Sequence, residues 1–421
     1  MDMFVINGGN KLSGTVKIPG AKNSVLPILA ATVISGKKSL ITDCPKIKDV
    51  ELTIEILKDL GCEVEWTREG LLVDSKNINT TTIKEELMDK MRSSIIFTGA
   101  IIARKKHVKT SYPGGCELGL RPIDLHIKAF KELGISVHEK HGYIECDGSS
   151  MKPHEIHLDF PSVGATENIM LAASTLSGKT KIVNAAKEPE ICDLQEFLLK
   201  MGVKIKGAGT SIIEIEGTNE FSDVTHKVIP DRIVASTYIA ATAVTGGKTE
   251  LTNVICDHLG GVISVFKDMG VIIVPTSESS VFVTANSKLK PLNLLRTSPY
   301  PGFPTDSQSI VTSTLTIAGG TSMIVENIFE QRFKLVDELR KMGADIGVDG
   351  RCAVVKGVDN LFGAKVCAPD LRSGAALVVA GLAATGKTEV TNINYIERGY
   401  EDIAADLRKL GADIYKVTAK G

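Results

Sequence analysis

The sequence predicts an α/β protein of two domains, each assembled from three repeated units in which helices alternate with strands. Three observations carry this: a phrase that recurs six times, its spacing, and an Ala-rich helix pattern opening every unit. The phrase reads LKDLGCEVEW, FKELGISVHE, LLKMGVKIKG, FKDMGVIIVP, LRKMGADIGV and LRKLGADIYK. Its glycines are Gly61, Gly134, Gly202, Gly270, Gly343 and Gly411, and in each half a longer spacing precedes a shorter one. A period of that length marks stacked supersecondary units, three to a domain. Each glycine sits where a helix must stop, and it is the residue that enters the left-handed conformation there without a steric cost.

Composition fits two globular domains. The chain has 421 residues, 43% hydrophobic and 24% charged, more than one hydrophobic core usually supports. A net charge of −1 gives no electrostatic reason to expect nucleic acid or an anionic membrane as partner. The longest apolar runs, such as Ala375 to Ala384, fall short of the roughly 20 residues of a bilayer span. MDMFVINGGNK lacks the basic and apolar blocks of a secretory signal, so a cytoplasmic location is expected. Eight cysteines are scattered without a C-x-x-C or Cys/His cluster, which points to free thiols in a reducing compartment and to no metal site. The sequence sets no oligomeric state, and a monomer is compatible with it.

Taken in order, the loops opening the first helix of each unit hold Pro19-Gly20-Ala21-Lys22-Asn23, Lys90-Met91-Arg92-Ser93, Pro161-Ser162-Val163-Gly164, Pro230-Asp231-Arg232, Pro304-Thr305-Asp306 and Pro369-Asp370-Leu371-Arg372. The second helices are entered through Pro45-Lys46-Ile47-Lys48, the stretch Pro113 to Pro122, Glu188-Pro189-Glu190, Asp257-His258, Glu330-Gln331-Arg332 and Glu397-Arg398-Gly399. Helix N-termini present N–H groups and partial positive charge, so such loops suit anionic ligands. The Gly-rich stretch after Tyr112 is the long one, which marks a functional flap rather than a packing element.

The segment IEIEGTNEFSDVTHKVIPDR resembles FVINGGNKLSGTVKIPGAKN near the N-terminus. With the first trio at 22–229, residues 1–21 are expected to complete the second trio at 230–421, giving two crossings and a cleft between hinged domains. The competing division is 1–229 and 230–421.

Gly381-Leu382-Ala383-Ala384-Thr385-Gly386-Lys387-Thr388 matches the phosphate-loop pattern letter for letter. That loop works only after a strand and before a helix. Here a helical pattern precedes and an alternating strand follows, so it is the repeat's own helix-to-strand turn. Cys116 is the one thiol with a chemical setting: it follows Gly114-Gly115 in a polar loop with Arg121 nearby, and exposure beside a cation lowers a thiol pKa. No nucleophilic triad can be assembled from the eight histidines.

Ten loops along the whole chain, from IPGAKN, DKMRSSI and PGGCELGLRPIDLH through FPSVGATENIM, AAKEPEICDLQ and IPDRI to FPTDSQS, FEQRF, PDLRSGAALV and IERGYEDI, resemble the enolpyruvyl transferase family in its UDP-N-acetylglucosamine-using branch. The resemblance implies a two-domain inside-out α/β barrel, each domain three βαβαββ-type units around buried helices. It implies transfer of the enolpyruvyl group of phosphoenolpyruvate to the 3-hydroxyl of UDP-N-acetylglucosamine, with no cofactor.

It also implies roles at matching positions. Lys22, Asn23, Arg121 and Arg398 would clamp phosphoenolpyruvate, Arg through planar bidentate bonds. Arg92, Arg121, Pro122, Ile123, Asp124, Leu125, Ser162, Val163, Gly164, Asp306 and Ile328 would contact the nucleotide sugar. Asp306 would be the base for the sugar hydroxyl, and Cys116 would protonate the enol carbon and can add covalently. Lys48, Asp231, Glu330, Arg332, Asp370 and Arg372 would be supporting groups. Against these roles stands a plainer one for Asp231, Asp306 and Asp370: each follows Pro or Thr and can merely cap a helix. Phe160 stands where some relatives carry Lys, so no charged contact is expected from it. Two other functions fit the scaffold: a sister enzyme using shikimate 3-phosphate, which lacks a PGGC-type flap, and a catalytically silent nucleotide-sugar sensor, which would not need Cys116, Asp306 and Arg398 together.

Overall fold

The computed structural model describes residues 2–114, 123–140, 142–285 and 288–418. Its helices are α1 (Lys22–Ser35), α2 (Lys48–Asp59), α3 (Glu85–Lys90), α4 (Ile96–Lys105), α5 (Asp124–Glu132), α6 (Val163–Ala173) and α7 (Pro189–Met201), followed by α8 (Arg232–Val244), α9 (Gly260–Asp268), α10 (Thr305–Leu315), α11 (Leu335–Lys341), α12 (Leu371–Ala383) and α13 (Ile403–Lys409).

Two helix types alternate, and the sequence dictates which is which. α1, α4, α6, α8, α10 and α12 are mostly small or apolar all round, with few polar exceptions such as Asn168 and Gln308, and a helix of that kind sits inside a core. Every residue of α1 from Ser24 to Ile34 is buried. α7 instead buries an apolar stripe of Ile191, Leu194, Phe197, Leu198 and Met201 at helical spacing and turns a polar face with Glu196 and Lys200 to solvent.

The third repeat shows the unit's plan. Strand Glu155–His157 leads through α6 to Lys179–Val183, its parallel partner; α7 then leads to Lys204–Lys206 and Ile212–Glu216, which close the sheet in antiparallel pairing. That is a βαβαββ order. Among the described residues six such sheets form, five of four strands and one of three, in which a single parallel bridge, Thr82 with Lys109, stands for the edge strand. The chain's start is woven into its end. Asp2–Asn7 pairs with both Lys387–Thr391 and Asp413–Thr418, and Ser13–Lys17 runs parallel to Lys248–Thr252. In mirror fashion Val224–Lys227 runs parallel to Lys38–Thr42.

The chain divides into two compact units, one running from Gly20 to Ile229, the other joining the residues up to Pro19 with those from Pro230 on. Each has its own continuous core, the first centred on α1, α4 and α6, the second on α8, α10 and α12. The six repeat glycines all have positive φ, from +81° at Gly134 to +110° at Gly202. The phosphate-loop look-alike is a turn: Gly381 lies inside α12, Gly386 has φ +92°, and a strand begins at Lys387.

One local expectation is corrected. Arg398 does not open a helix; it ends the 3-10 turn Ile396–Arg398, and α13 starts only at Ile403, capped by Asp402. Arg332 likewise starts a 3-10 turn, Arg332–Lys334, ahead of α11. Short loop-to-helix junctions tighten to i→i+3 bonding because their first N–H groups lack helical partners.

Candidate active site

In the unit containing the chain termini, Asp306 stands apart from the other aspartates. Asp231 caps α8, its Oδ1 accepting from Ile233 N at 2.8 Å and Val234 N at 3.0 Å. Asp370 caps α12 in the same way, from Arg372 N at 2.9 Å and Ser373 N at 3.0 Å. Asp306 is not the N-cap of its helix: that position in α10 is Pro304, which makes no side-chain capping bond. Its two oxygens instead receive two guanidinium groups, Oδ1 from Arg332 Nη2 at 2.6 Å and Oδ2 from Arg372 Nη2 at 3.1 Å. Both arginines are buried, whereas the Asp306 side chain keeps 26% exposure. The plainer capping role thus holds for Asp231 and Asp370 and fails for Asp306.

The two arginines are held from behind. Arg332 also donates from Nε to Thr305 O at 3.1 Å, and its guanidinium lies 5.4 Å from the Phe329 ring centre. Burial opposes the charge of Arg372, yet Asp306, Tyr400 and Asp231 together hold its pKa above the ordinary value. Glu330 is placed elsewhere, in a surface ion pair with Arg351 at 3.1 Å. Ile328 is positioned by a residue that the sequence did not single out. Glu326 is fully buried; its Oε1 accepts from Ile328 N at 2.8 Å, Phe329 N at 3.0 Å and Thr297 Oγ1 at 2.9 Å, and its Oε2 from Thr305 Oγ1 at 3.0 Å. One carboxylate therefore ties the loop bearing Ile328 to the residue preceding Asp306. A single Glu at a strand end carries no sequence signal for this.

In the other unit, Lys22 opens α1 and its Nζ meets Asp49 Oδ2 at 2.9 Å, with only 12% and 3% of the two side chains exposed. Asp49 follows the predicted Lys48, which is solvent-exposed at the start of α2. Asn23, partly buried, is the next residue of α1. Arg92 starts the 3-10 turn Arg92–Ile95 and donates from Nη1 to Pro113 O at 3.1 Å, while Gly114 N bonds Met88 O at 3.1 Å. Those bonds fix the base of the long Gly-rich stretch. Cys116, Arg121 and Pro122 lie outside the described residues.

Arg92, Ile123 and Asp124 line a depression of about 770 Å³, together with Tyr112, Ile127, Lys128, Lys131, Glu132 and Glu139. Ser162 caps α6, accepting from Ala165 N at 3.3 Å, so Val163 and Gly164 form its first turn. Leu125 packs partly into the core, and Phe160 is exposed. Behind α1, Ser24 and Ile229 N both bond Asp193 Oδ2, and His226 Nε2 meets Asp193 Oδ1 at 2.9 Å. The carboxylate is the centre of this buried trio, so the histidine does not face the hydroxyl and no nucleophilic triad results.

Four of the described thiols are held in the protonated form. Burial pushes Cys62 and Cys146 up to about 12 and raises Cys192 and Cys256. Among the described residues no group of three or more His, Cys, Asp or Glu could hold a metal ion, and no helix is long and apolar enough to cross a membrane.

Comparison with known proteins identifies the family. A family model described as EPSP synthase (3-phosphoshikimate 1-carboxyvinyltransferase) matches residues 6–407. UDP-N-acetylglucosamine 1-carboxyvinyltransferase 2 of Caldanaerobacter subterraneus is 50% identical, with 99% of this chain and 100% of the relative aligned. UDP-N-acetylglucosamine 1-carboxyvinyltransferase of Halothermothrix orenii is 48% identical over the same shares. Among solved structures, the enolpyruvyl transferase NikO of Streptomyces tendae superposes with a TM-score of 0.90 at 25% identity, covering 100% of this chain and 99% of its own. An EPSP synthase of Acinetobacter baumannii shares the fold alone, with a TM-score of 0.76 at 16% identity over 99% of this chain and 100% of its own. By its repeats, its two cores and these full-length matches, the chain belongs to the enolpyruvyl transferase family, the carboxyvinyltransferases.

Proposed function

We propose that this protein transfers the enolpyruvyl group of phosphoenolpyruvate to the 3-hydroxyl of UDP-N-acetylglucosamine with release of phosphate, the first committed step of peptidoglycan precursor synthesis in the cytoplasm. The observation that carries the reading is Asp306, an aspartate at a helix start that is not the N-cap and is held on both oxygens by buried arginines. Two full-length relatives named for this reaction support it.

Addition of an alcohol to C2 of phosphoenolpyruvate needs a proton delivered to C3 and one taken from the hydroxyl; elimination then removes a C3 proton and phosphate. Asp306 takes the hydroxyl proton and Cys116 delivers the proton to C3, each such group contributing about 10²–10⁴ in rate. Lys22, Asn23, Arg121 and Arg398 clamp the carboxylate and phosphate, so that the departing charge meets fixed cations. Arg92, Arg121 to Leu125, Ser162 to Gly164 and Ile328 hold the nucleotide sugar. Lys48, Asp231, Arg332, Asp370 and Arg372 support these groups, Asp231 and Asp370 through the helices that they cap.

The test is product formation. With phosphoenolpyruvate and UDP-N-acetylglucosamine the purified protein is expected to release phosphate and form a sugar nucleotide heavier by an enolpyruvyl unit, and with shikimate 3-phosphate to release none. Turnover of shikimate 3-phosphate would assign the sister activity, and binding of the sugar nucleotide without turnover would assign a sensor.

A further inference from the structure

Asn168 is fully buried on α6, and its amide reaches three other elements: the 3-10 turn Arg92–Ile95, α4 and α5. Oδ1 accepts from Gly99 N at 2.8 Å, and Nδ2 donates to Ile95 O at 3.2 Å and lies 2.8 Å from His126 Nδ1. Ile95 and Gly99 stand four residues apart, the carbonyl and N–H of one helical turn, where the 3-10 turn Arg92–Ile95 passes into α4. The contact is built for close approach. A Cβ on Gly99 would lie 2.5 Å from Asn168 O and 2.6 Å from its Oδ1, so only glycine fits there.

The network also fixes the amide and the imidazole. Turned over, the amide would set oxygen against the Ile95 carbonyl and N–H against N–H, so the donors must face Ile95 and His126. His126 Nδ1 is then an acceptor and Nε2 carries the proton. The ring abuts the first turn of α6, where a Cβ on Gly164 would lie 3.1 Å from Cε1 and 3.3 Å from Nε2. Burial, with the neighbouring Arg92 charge, lowers His126 to about 4 and keeps it neutral.

We propose that Asn168 is a positioning residue for the nucleotide sugar: its amide clips together the turn that begins at Arg92, the helix that begins at Asp124 and the helix that begins at Val163, so that contact groups from three segments keep one arrangement. The inference rests on the reading that Arg92, Asp124, Leu125 and Ser162 to Gly164 meet that substrate. Asn168 itself meets only protein groups.

The experiment compares wild type, Asn168→Asp and Gly99→Ala. Asn168→Asp keeps size and the acceptor but removes both donors; Gly99→Ala keeps the amide and crowds it. KM for UDP-N-acetylglucosamine is expected to rise about tenfold in both, with kcat and KM for phosphoenolpyruvate within about twofold, because displaced supports act through the groups they hold. Nitrogen NMR of wild-type His126 is expected to show a neutral ring protonated on Nε2. A lowered melting temperature with KM unchanged would overturn the proposal, leaving Asn168 a packing group. A wild-type ring protonated on Nδ1 would overturn it even if neither variant folds. Failure of the functional reading shows differently, as wild type that neither binds nor turns over the sugar nucleotide, and it takes the proposal with it.

Discussion

Asp306 Oδ1 and Arg332 Nη2 lie 2.6 Å apart, and the arginine side chain is 1% exposed. Removing Arg332 leaves Asp306 with Arg372 and partial solvent contact, so the cost stays below that of breaking a fully buried pair, on the order of 2 kcal/mol. Arg332→Ala is therefore expected to lower stability in a urea melt by that order and to lower turnover with it. Arg332→Lys is no safe replacement, because a single ammonium cannot reproduce the rigid fork that reaches Thr305 O and Asp306 together. Turnover down at least about tenfold in the Lys variant is expected; wild-type turnover there would show that the fork does not orient Asp306.

Three aspartates at three helix starts provide an internal control. Asn caps a helix about as well as Asp, so Asp370→Asn is expected to change stability by about 0.5 kcal/mol or less, and Asp231→Asn by more than that, because the Asp231 charge also supports buried Arg372. Asp306→Asn removes the carboxylate that the proposed base step needs, and turnover is expected to fall by at least about 10². Nucleotide-sugar affinity, read by calorimetry, is expected to stay within about tenfold of wild type. Equal kinetic losses in all three would return Asp306 to a scaffold role.

The repeats made the architecture legible, since helix-stopping glycines and a mostly apolar inner helix are local properties of the chain. Lys22 and Asp306 stood out through their loops, and Arg332 and Arg372 were named with them, but the residues that hold Lys22, Ile328 and the turn at Arg92 did not stand out. Asp49 reads as an ordinary first-turn acid of an amphipathic helix, Glu326 as a strand-end charge, and Asn168 as one more residue of an Ala-rich helix. Each acts through a contact far away in sequence, for which short-range pattern holds no record. Whether an aspartate caps its own helix or turns to an arginine from another element is likewise decided by packing, which is why Asp231, Asp306 and Asp370 looked alike.

Asp49 is the first-turn acid that holds Lys22, at 2.9 Å. Asp49→Asn keeps shape and removes the charge that orients the ammonium. KM for phosphoenolpyruvate is expected to rise about tenfold while KM for the nucleotide sugar changes by less than about threefold. Steady-state kinetics with each substrate varied separately checks this, and parallel rises in both would place the effect on folding.

Thiol reactivity is expected to separate Cys116 from four of the other cysteines. Burial raises Cys62, Cys146, Cys192 and Cys256, so at pH 7 these carry almost no thiolate, the nucleophilic form. A small electrophile carrying a phosphonate is expected to label Cys116 first, as read by peptide mass mapping. Earlier labelling at any of those four sites would contradict the assignment.

The last prediction concerns acid stability and His126. Its pKa is lowered from 6.5 to about 4, first by burial and then by Arg92. The folded state therefore holds fewer protons on this ring than the unfolded chain between those values, and stability falls as pH drops through that window. The ring keeps some solvent contact, so the loss is discounted to about 2 kcal/mol, complete only below pH 4. Carboxylates also lose stability in acid, so the comparison must be a difference between two proteins. His126→Gln offers an uncharged donor and acceptor at every pH, and its stability is expected to fall less steeply from pH 6.5 to 4, by up to one proton's worth of slope. Urea melts of both proteins at half-unit intervals measure this. Parallel curves would mean that His126 gains its proton in the fold as easily as in the open chain, and so that neither burial nor Arg92 disfavours the imidazolium.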